Sequence, residues 1–174
     1  MIPKRVHLSW KTKDLLDSES PLVTEGVKKL IELNPEWEVT IYDDVEVDTY
    51  LQDKLEPQLY ALIADKHIVQ KTDLWRLIKL YIEGGLYMDI DRFVDTPLDD
   101  LLDENTKWVL PICRDYDFSH DFMMTAPQNP AYQAAANLYL DRLKQGHNNI
   151  YFLGPQTYMH AVTHTLMGEM MNTD

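Results

Sequence analysis

Asp89-Ile90-Asp91 sets two carboxylates two residues apart, directly after the glycine pair Gly84-Gly85 and the short run Leu86-Tyr87-Met88. In extended backbone, residues at that spacing project to the same side, with Cα atoms roughly 6.6 Å apart. Both acids are therefore expected to face one site. Two carboxylates on one side of a strand end suit a hard divalent cation, Mg²⁺ or Mn²⁺, whose oxygen shell is completed by water and ligand phosphates. Taken alone the triplet is weak, because Asp-X-Asp arises readily in solvated turns of an acidic chain.

The preceding segment, Lys71-Thr72-Asp73-Leu74-Trp75-Arg76, adds a second charged pair. Asp73 and Arg76 are three apart and so are neighbours on one edge of a helix. They form either a surface ion pair, worth less than about 1 kcal/mol, or a recognition pair. In the second case Arg76 meets a phosphate or sugar oxygen and Asp73 accepts hydrogen bonds from sugar hydroxyls. Asp121, after His120, reads from its position as a polar residue at a strand edge. His160 and His164 are four apart on a helix, but Ala161 stands where a zinc protease needs its glutamate. His7 reads as a hydrogen-bonded core residue. A glycoside hydrolase built on Asp89 and Asp91 fits poorly, because its carboxylates flank the scissile bond from opposite faces, about 5–9.5 Å apart.

These residues need elements to position them. Residues 5–10, after Pro3, mix β-branched, apolar and aromatic types and predict a first strand. A helix runs from Pro21 to Leu33 and ends at Asn34-Pro35, since proline disfavours helix in its predecessor. Trp37 to Tyr42 alternates as a second strand, and 45–67 predicts one or two short helices around Pro57. From Val69 to Glu83, Leu74, Leu77, Ile78 and Tyr81 fall at i, i+3, i+4 and i+7 of one helix face. Gly84 can end that helix in the left-handed conformation, reversing the chain into a short strand at 86–88. Strands at 107–112 and 120–125, a helix at about 130–144 and a last helix from about 155 complete the pattern. Strands alternating with helices predict an α/β domain with a mainly parallel central sheet flanked by helices, a Rossmann-like arrangement. Open α/β sheets bind ligands at the carboxyl ends of their strands, where Asp89 and Asp91 are expected.

The 174 residues are 45% hydrophobic and 26% charged, which excludes disordered, collagenous and low-complexity classes. One domain over 1–174 is expected, burying roughly 70% of the surface of its unfolded chain without staples. The single cysteine, Cys113, suits a reducing compartment, so a cytoplasmic location is expected. A net charge of −13 repels phosphate backbones and argues against a nucleic-acid partner. No stretch approaches the roughly 20 apolar residues of a membrane span.

Ile2-Pro3-Lys4-Arg5-Val6-His7-Leu8-Ser9-Trp10, Asn34-Pro35-Glu36-Trp37, Ile41-Tyr42-Asp43-Asp44, Lys71-Thr72-Asp73-Leu74-Trp75-Arg76 and Gly84-Gly85-Leu86-Tyr87-Met88-Asp89-Ile90-Asp91 occur in that order. This series resembles the DXD-motif sugar-transferase family of Golgi mannosyltransferases similar to the outer-chain initiating enzyme, bacterial polysaccharide transferases and the glucosylating domains of large clostridial toxins. Gly154-Pro155 extends the match. The resemblance implies a GT-A fold that holds a nucleotide sugar with Mn²⁺ or Mg²⁺ and transfers the sugar with retention. By position, Trp10 matches the aromatic residue that stacks on the nucleobase, and Leu8 and Ser9 lie where backbone groups meet its edge. Asp73 and Arg76 match the pair that grips the donor sugar and its phosphate side. Asp89 matches the aspartate that contacts ribose and sugar and reaches the metal through water, and Asp91 matches the direct metal ligand. Tyr87 matches a residue near the donor, and Asp121 lies where relatives hold a polar residue near sugar and acceptor.

A nucleotide diphosphate nearing two aspartates meets like charges, each close pair costing roughly 4 kcal/mol at 4 Å and an effective dielectric of 20. A cation between them removes that cost and, as a Lewis acid, assists the departing phosphate oxygen. The expected activity is hexosyl transfer from a nucleotide sugar, UDP-sugars favoured over GDP-mannose, to a carbohydrate or protein-linked glycan. The chain ends at Met171-Asn172-Thr173-Asp174, before the C-terminal stretch that completes the metal shell in the family. The alternative reading is accordingly a non-catalytic nucleotide-sugar-binding module.

Overall fold

A computed structural model describes residues 1–14, 21–112 and 118–171. Cys113 lies outside the described residues. The order is β1 (Arg5–Ser9), α1 (Pro21–Leu33), β2 (Glu38–Tyr42), α2 (Asp44–Lys54), α3 (Pro57–Tyr60), α4 (Ile68–Glu83), β3 (Gly85–Met88), β4 (Trp108–Val109), β5 (Phe122–Thr125), α5 (Pro130–Lys144), α6 (Ile150–Leu153) and α7 (Pro155–Met171), with a 3-10 turn at Leu98–Leu101. Among the described residues, no helix is long and apolar enough to cross a membrane.

The strands form one sheet in the order β2-β1-β3-β5-β4. β1 pairs in parallel with β2 and β3, while β5 runs antiparallel to both β3 and β4. Four of the five strands thus point the same way and β5 is reversed, so the mainly parallel sheet holds by strand direction although its β5 half is mixed. The expected strand at 107–112 shrinks to Trp108–Val109, with Ile112 making only an isolated bridge to Phe118. Pro111 explains the interruption, since it has no N–H to give a ladder.

Both faces of the sheet are covered, as a parallel sheet requires. Leu86 and Met88 of β3 face Val27 and Leu30 of α1, whereas Tyr87 faces Leu74 and Trp75 of α4 and Tyr132 and Tyr139 of α5. The same alternation sends Met124 to the first layer and Met123 to the second.

Local chemistry fixes the joints. Asp43 and Glu46 form a capping box at the start of α2, satisfying backbone donors in both directions. Asn34 bonds Leu30 O at 2.8 Å and takes the Leu98 N–H at 2.7 Å, and the Trp37 indole donates to Asp99 at 2.9 Å. The Asn34–Trp37 block is therefore a structural clasp. Gly84 and Gly85 have φ of 67° and 93°, and a Cβ on Gly85 would lie 2.6 Å from Arg5 O. Only glycine allows this reversal at such close range, and it is what delivers β3 beside β1.

Candidate donor-binding site

The carboxyl ends of β1 and β3 border a groove of about 460 Å³. Ser9 and Trp10 line it from the end of β1, Tyr87, Asp89 and Asp91 from the end of β3, and Ile68, Thr72 and Arg76 of α4 form a wall, with Asp44 at the start of α2. This is the position that strand ends of an open α/β sheet reserve for ligands.

Beneath it, Arg76 is almost wholly enclosed and ties three groups together. Its guanidinium donates to Asp73 Oδ1 at 2.6 Å, to Asp89 Oδ1 at 3.2 Å and to the His120 carbonyl at 2.9 Å. It also stacks over the Tyr87 ring at 4.4 Å, and the Tyr87 hydroxyl donates to the same Asp89 oxygen at 2.6 Å. Asp73 and Arg76 meet because they are three apart on α4; Asp89 joins them only because β3 runs back along that helix. The surface-pair reading of Asp73 and Arg76 is thus excluded, since their side chains are 5% and 7% exposed. Burial pushes Asp73 up to about 6, with Arg76 opposing and Asp89 adding to the rise. At neutral pH Asp73 is still ionised and paired with Arg76.

The two motif aspartates differ. β3 ends at Met88, so Asp89 to Asp91 form a turn closed by the Arg92 N–H on Asp89 O at 3.0 Å, not an extended segment. Strand alternation therefore does not aim the two carboxylates; the turn does, and both still border the groove. Asp89 is 31% exposed and engaged, whereas Asp91 is 71% exposed and, among the described residues, meets only Arg92 Nε at 4.0 Å. No trio of His, Cys, Asp or Glu among the described residues could hold a metal alone. An open carboxylate at Asp91 beside Asp89 nevertheless fits Mg²⁺ or Mn²⁺, which bind through one or two carboxylates plus waters and substrate phosphates.

The other candidates sort by position. Trp10 borders the groove, its backbone N–H held by Tyr42 O at 3.0 Å, and its indole Nε1 is buried with no partner among the described residues. The Leu8 side chain is fully buried in the core, so only its backbone is near this end of the sheet. Asp73 sits below the groove and not on its surface. Asp121 does not line it either: its carboxylate pairs with Arg92 at 2.6 Å, accepts from the Ser119 hydroxyl, and borders a separate hollow of about 200 Å³ with His120 and Gln156. Its backbone still supports the site, accepting the Asp89 N–H at 2.8 Å.

His7 is buried, with Nε2 bonded to Gly84 O at 3.0 Å, and burial lowers its pKa. Arg142 donates to His160 Nδ1 at 2.9 Å, which spends that nitrogen and sets a cation beside it, and among the described residues neither His160 nor His164 belongs to a group of three metal-ligating side chains. Sequence reasoning missed Asp44, Ile68 and Thr72. Asp44 was within reach, because it follows β2, whose carboxyl end lies beside that of β1.

Residues 20–108 match the family model described as a glycosyltransferase sugar-binding region containing a DXD motif. The chain is 28% identical over 138 residues to inositol phosphoceramide mannosyltransferase 1 of Schizosaccharomyces pombe, covering 79% of this chain and 43% of that protein. It is 31% identical over 137 residues to inositol phosphoceramide mannosyltransferase 2 of the same organism, covering 76% and 37%. The chain thus spans less than half the length of these relatives. The PaToxG glycosyltransferase superposes with a TM-score of 0.70 over 96% of this chain and 70% of its own, at 21% identity, which establishes a shared GT-A-like fold. With more than half of its residues inside the family model, this chain belongs to the glycosyltransferases whose sugar-binding region carries a DXD motif.

Proposed function

We propose that the chain is the donor-binding and catalytic part of a metal-dependent hexosyltransferase that takes a nucleotide sugar and passes its hexose to a hydroxyl of a glycan or glycolipid, with retention. The observation that carries this reading is Arg76, a buried cation joining Asp73, Asp89 and Tyr87 at the floor of an open groove. The relatives are named as mannosyltransferases, which favours GDP-mannose as donor over the UDP-sugars that the sequence alone put first.

Each residue has a part that its surroundings support. Trp10 offers an indole face to a base. Arg76 fixes Asp89 and faces the groove with positive charge, suited to the negative charge that grows on the leaving phosphate oxygen. Tyr87 holds the same Asp89 oxygen, leaving its other oxygen for ribose or sugar hydroxyls. Asp91, with Asp89, would hold Mn²⁺ or Mg²⁺, which when bound supplies charge neutralisation and Lewis acidity at the diphosphate.

Calorimetric titration with GDP-mannose and UDP-glucose, with and without Mn²⁺, tests the proposal. Binding of at least one donor that requires the metal and disappears in Asp91→Ala is expected. No binding by either donor with Mn²⁺ present defeats it. Transfer or hydrolysis of the bound donor separates an enzyme from a binding module.

A further inference from the structure

The groove is bordered, on the side of Trp10, by a carboxylate that the capping of α2 does not use. Asp43 and Glu46 satisfy the first turn of α2 between them: the Glu46 N–H donates to Asp43 at 2.9 Å and Glu46 accepts the Asp43 N–H at 3.1 Å. Asp44, the first residue of α2, is thereby freed from capping, and its carboxylate has no hydrogen-bond or ion-pair partner among the described residues. It is half-buried and lines the same groove as Trp10 and Val69, at the boundary with a neighbouring hollow bordered by Asp48, Lys66 and Lys71. An aromatic face with the Lys11 ammonium 5.8 Å from its centre, an aliphatic side chain and an acceptor-only group thus border one groove.

Bases differ in what they offer such a group. Guanine presents N1–H and the exocyclic N2 amine side by side, two donors that one carboxylate can accept together. Uracil presents a single N–H between two carbonyl oxygens, which an acidic group repels. Adenine offers an amine next to an unprotonated ring nitrogen. We infer that Asp44 selects guanine, making this a site for a guanosine diphosphate sugar, with Trp10 as the stacking face and Asp44 as the specificity-determining residue. The inference rests on the proposed nucleotide-sugar function and narrows its donor.

The test is equilibrium binding of GDP, inosine diphosphate and UDP at one fixed Mn²⁺ concentration, to the native chain and to Asp44→Asn and Asp44→Ala. Inosine diphosphate differs from GDP only in lacking the N2 amine. The native chain is expected to bind GDP about 10- to 100-fold more tightly than inosine diphosphate, the range for one hydrogen bond to a charged group, and to bind UDP more weakly than GDP. Both variants are expected to reduce the GDP to inosine diphosphate ratio to near one while UDP binding holds or improves, which also shows that they remain folded. A native ratio near one, or a ratio unchanged in the variants, overturns the assignment of Asp44 and leaves the transferase reading standing on any donor that binds. Failure of every nucleotide to bind the native chain overturns both.

Discussion

Gly154 stands against the Asp73 carboxylate so closely that a Cβ built on it would lie 2.5 Å from Oδ2. The start of α7 therefore roofs the acid that α4 directs at Arg76, linking the Gly154-Pro155 joint to the floor of the groove. Because Gly154 has a φ of −81°, alanine meets no backbone strain there, and any effect reports the clash. Gly154→Ala is expected to lose about 1–3 kcal/mol of stability, the range for overpacking, and to weaken donor binding. Urea denaturation and titration check this; unchanged values in both would refute the contact.

Arg76 balances the buried Asp73 carboxylate and the partly exposed Asp89, so its removal leaves buried charge without compensation. Arg76→Met is expected to cost about 3–5 kcal/mol. Adding Asp73→Asn should recover part of that loss, because the two residues share one interaction. A double variant whose loss is the sum of the single losses would contradict the pairing. Urea unfolding of the single and double variants measures it.

The motif aspartates should separate stability from function. Asp89→Asn removes the charge that meets Arg76 and the Tyr87 hydroxyl, and is expected to lower stability by roughly 1–3 kcal/mol as well as donor affinity. Asp91→Asn, on an exposed side chain, should stay within about 0.5 kcal/mol of the native stability and lose metal-dependent donor binding. Equal thermal shifts in the two variants would show that the asymmetry is wrong.

Asp73 and His120 approach to 3.9 Å and pull stability in opposite directions with pH. Burial raises Asp73 to about 6, so its contribution is fully present below its ordinary value and is lost as pH climbs through 6. Burial first, and then Arg76, lowers His120 to about 4, so its contribution is present above its ordinary value of 6.5 and is lost as pH falls towards 4. Across pH 4–6.5 the two slopes oppose, each carrying about 3 kcal/mol. His120→Gln should expose stability that declines as pH rises, and Asp73→Asn stability that increases with it. Urea midpoints at pH 4.5, 5.5 and 6.5 decide; parallel profiles in both variants would sink the account.

Local features were legible in the sequence because their causes are local. The periodic face of α4, the glycine reversal at Gly84-Gly85, the Asn34-Pro35 stop and the Asp73 to Arg76 spacing each depend on residues a few positions apart, and the element order followed from them. Strand length was less legible at 107–112, where pairing with β5 and the break at Pro111 set the limits.

By itself, the sequence determined which acids and which arginine were available, the strand end they would occupy and the family whose motif they form. Only the tertiary structure decided how they divide the work. Asp89 is held by Arg76 and Tyr87 while Asp91 stays open, Asp121 turns to Arg92, and Asp44 joins Trp10 in lining the groove. Those roles depend on which carboxylate loses its water and gains a partner, and that is settled by contacts between α4, β3 and α2 that no spacing along the chain encodes.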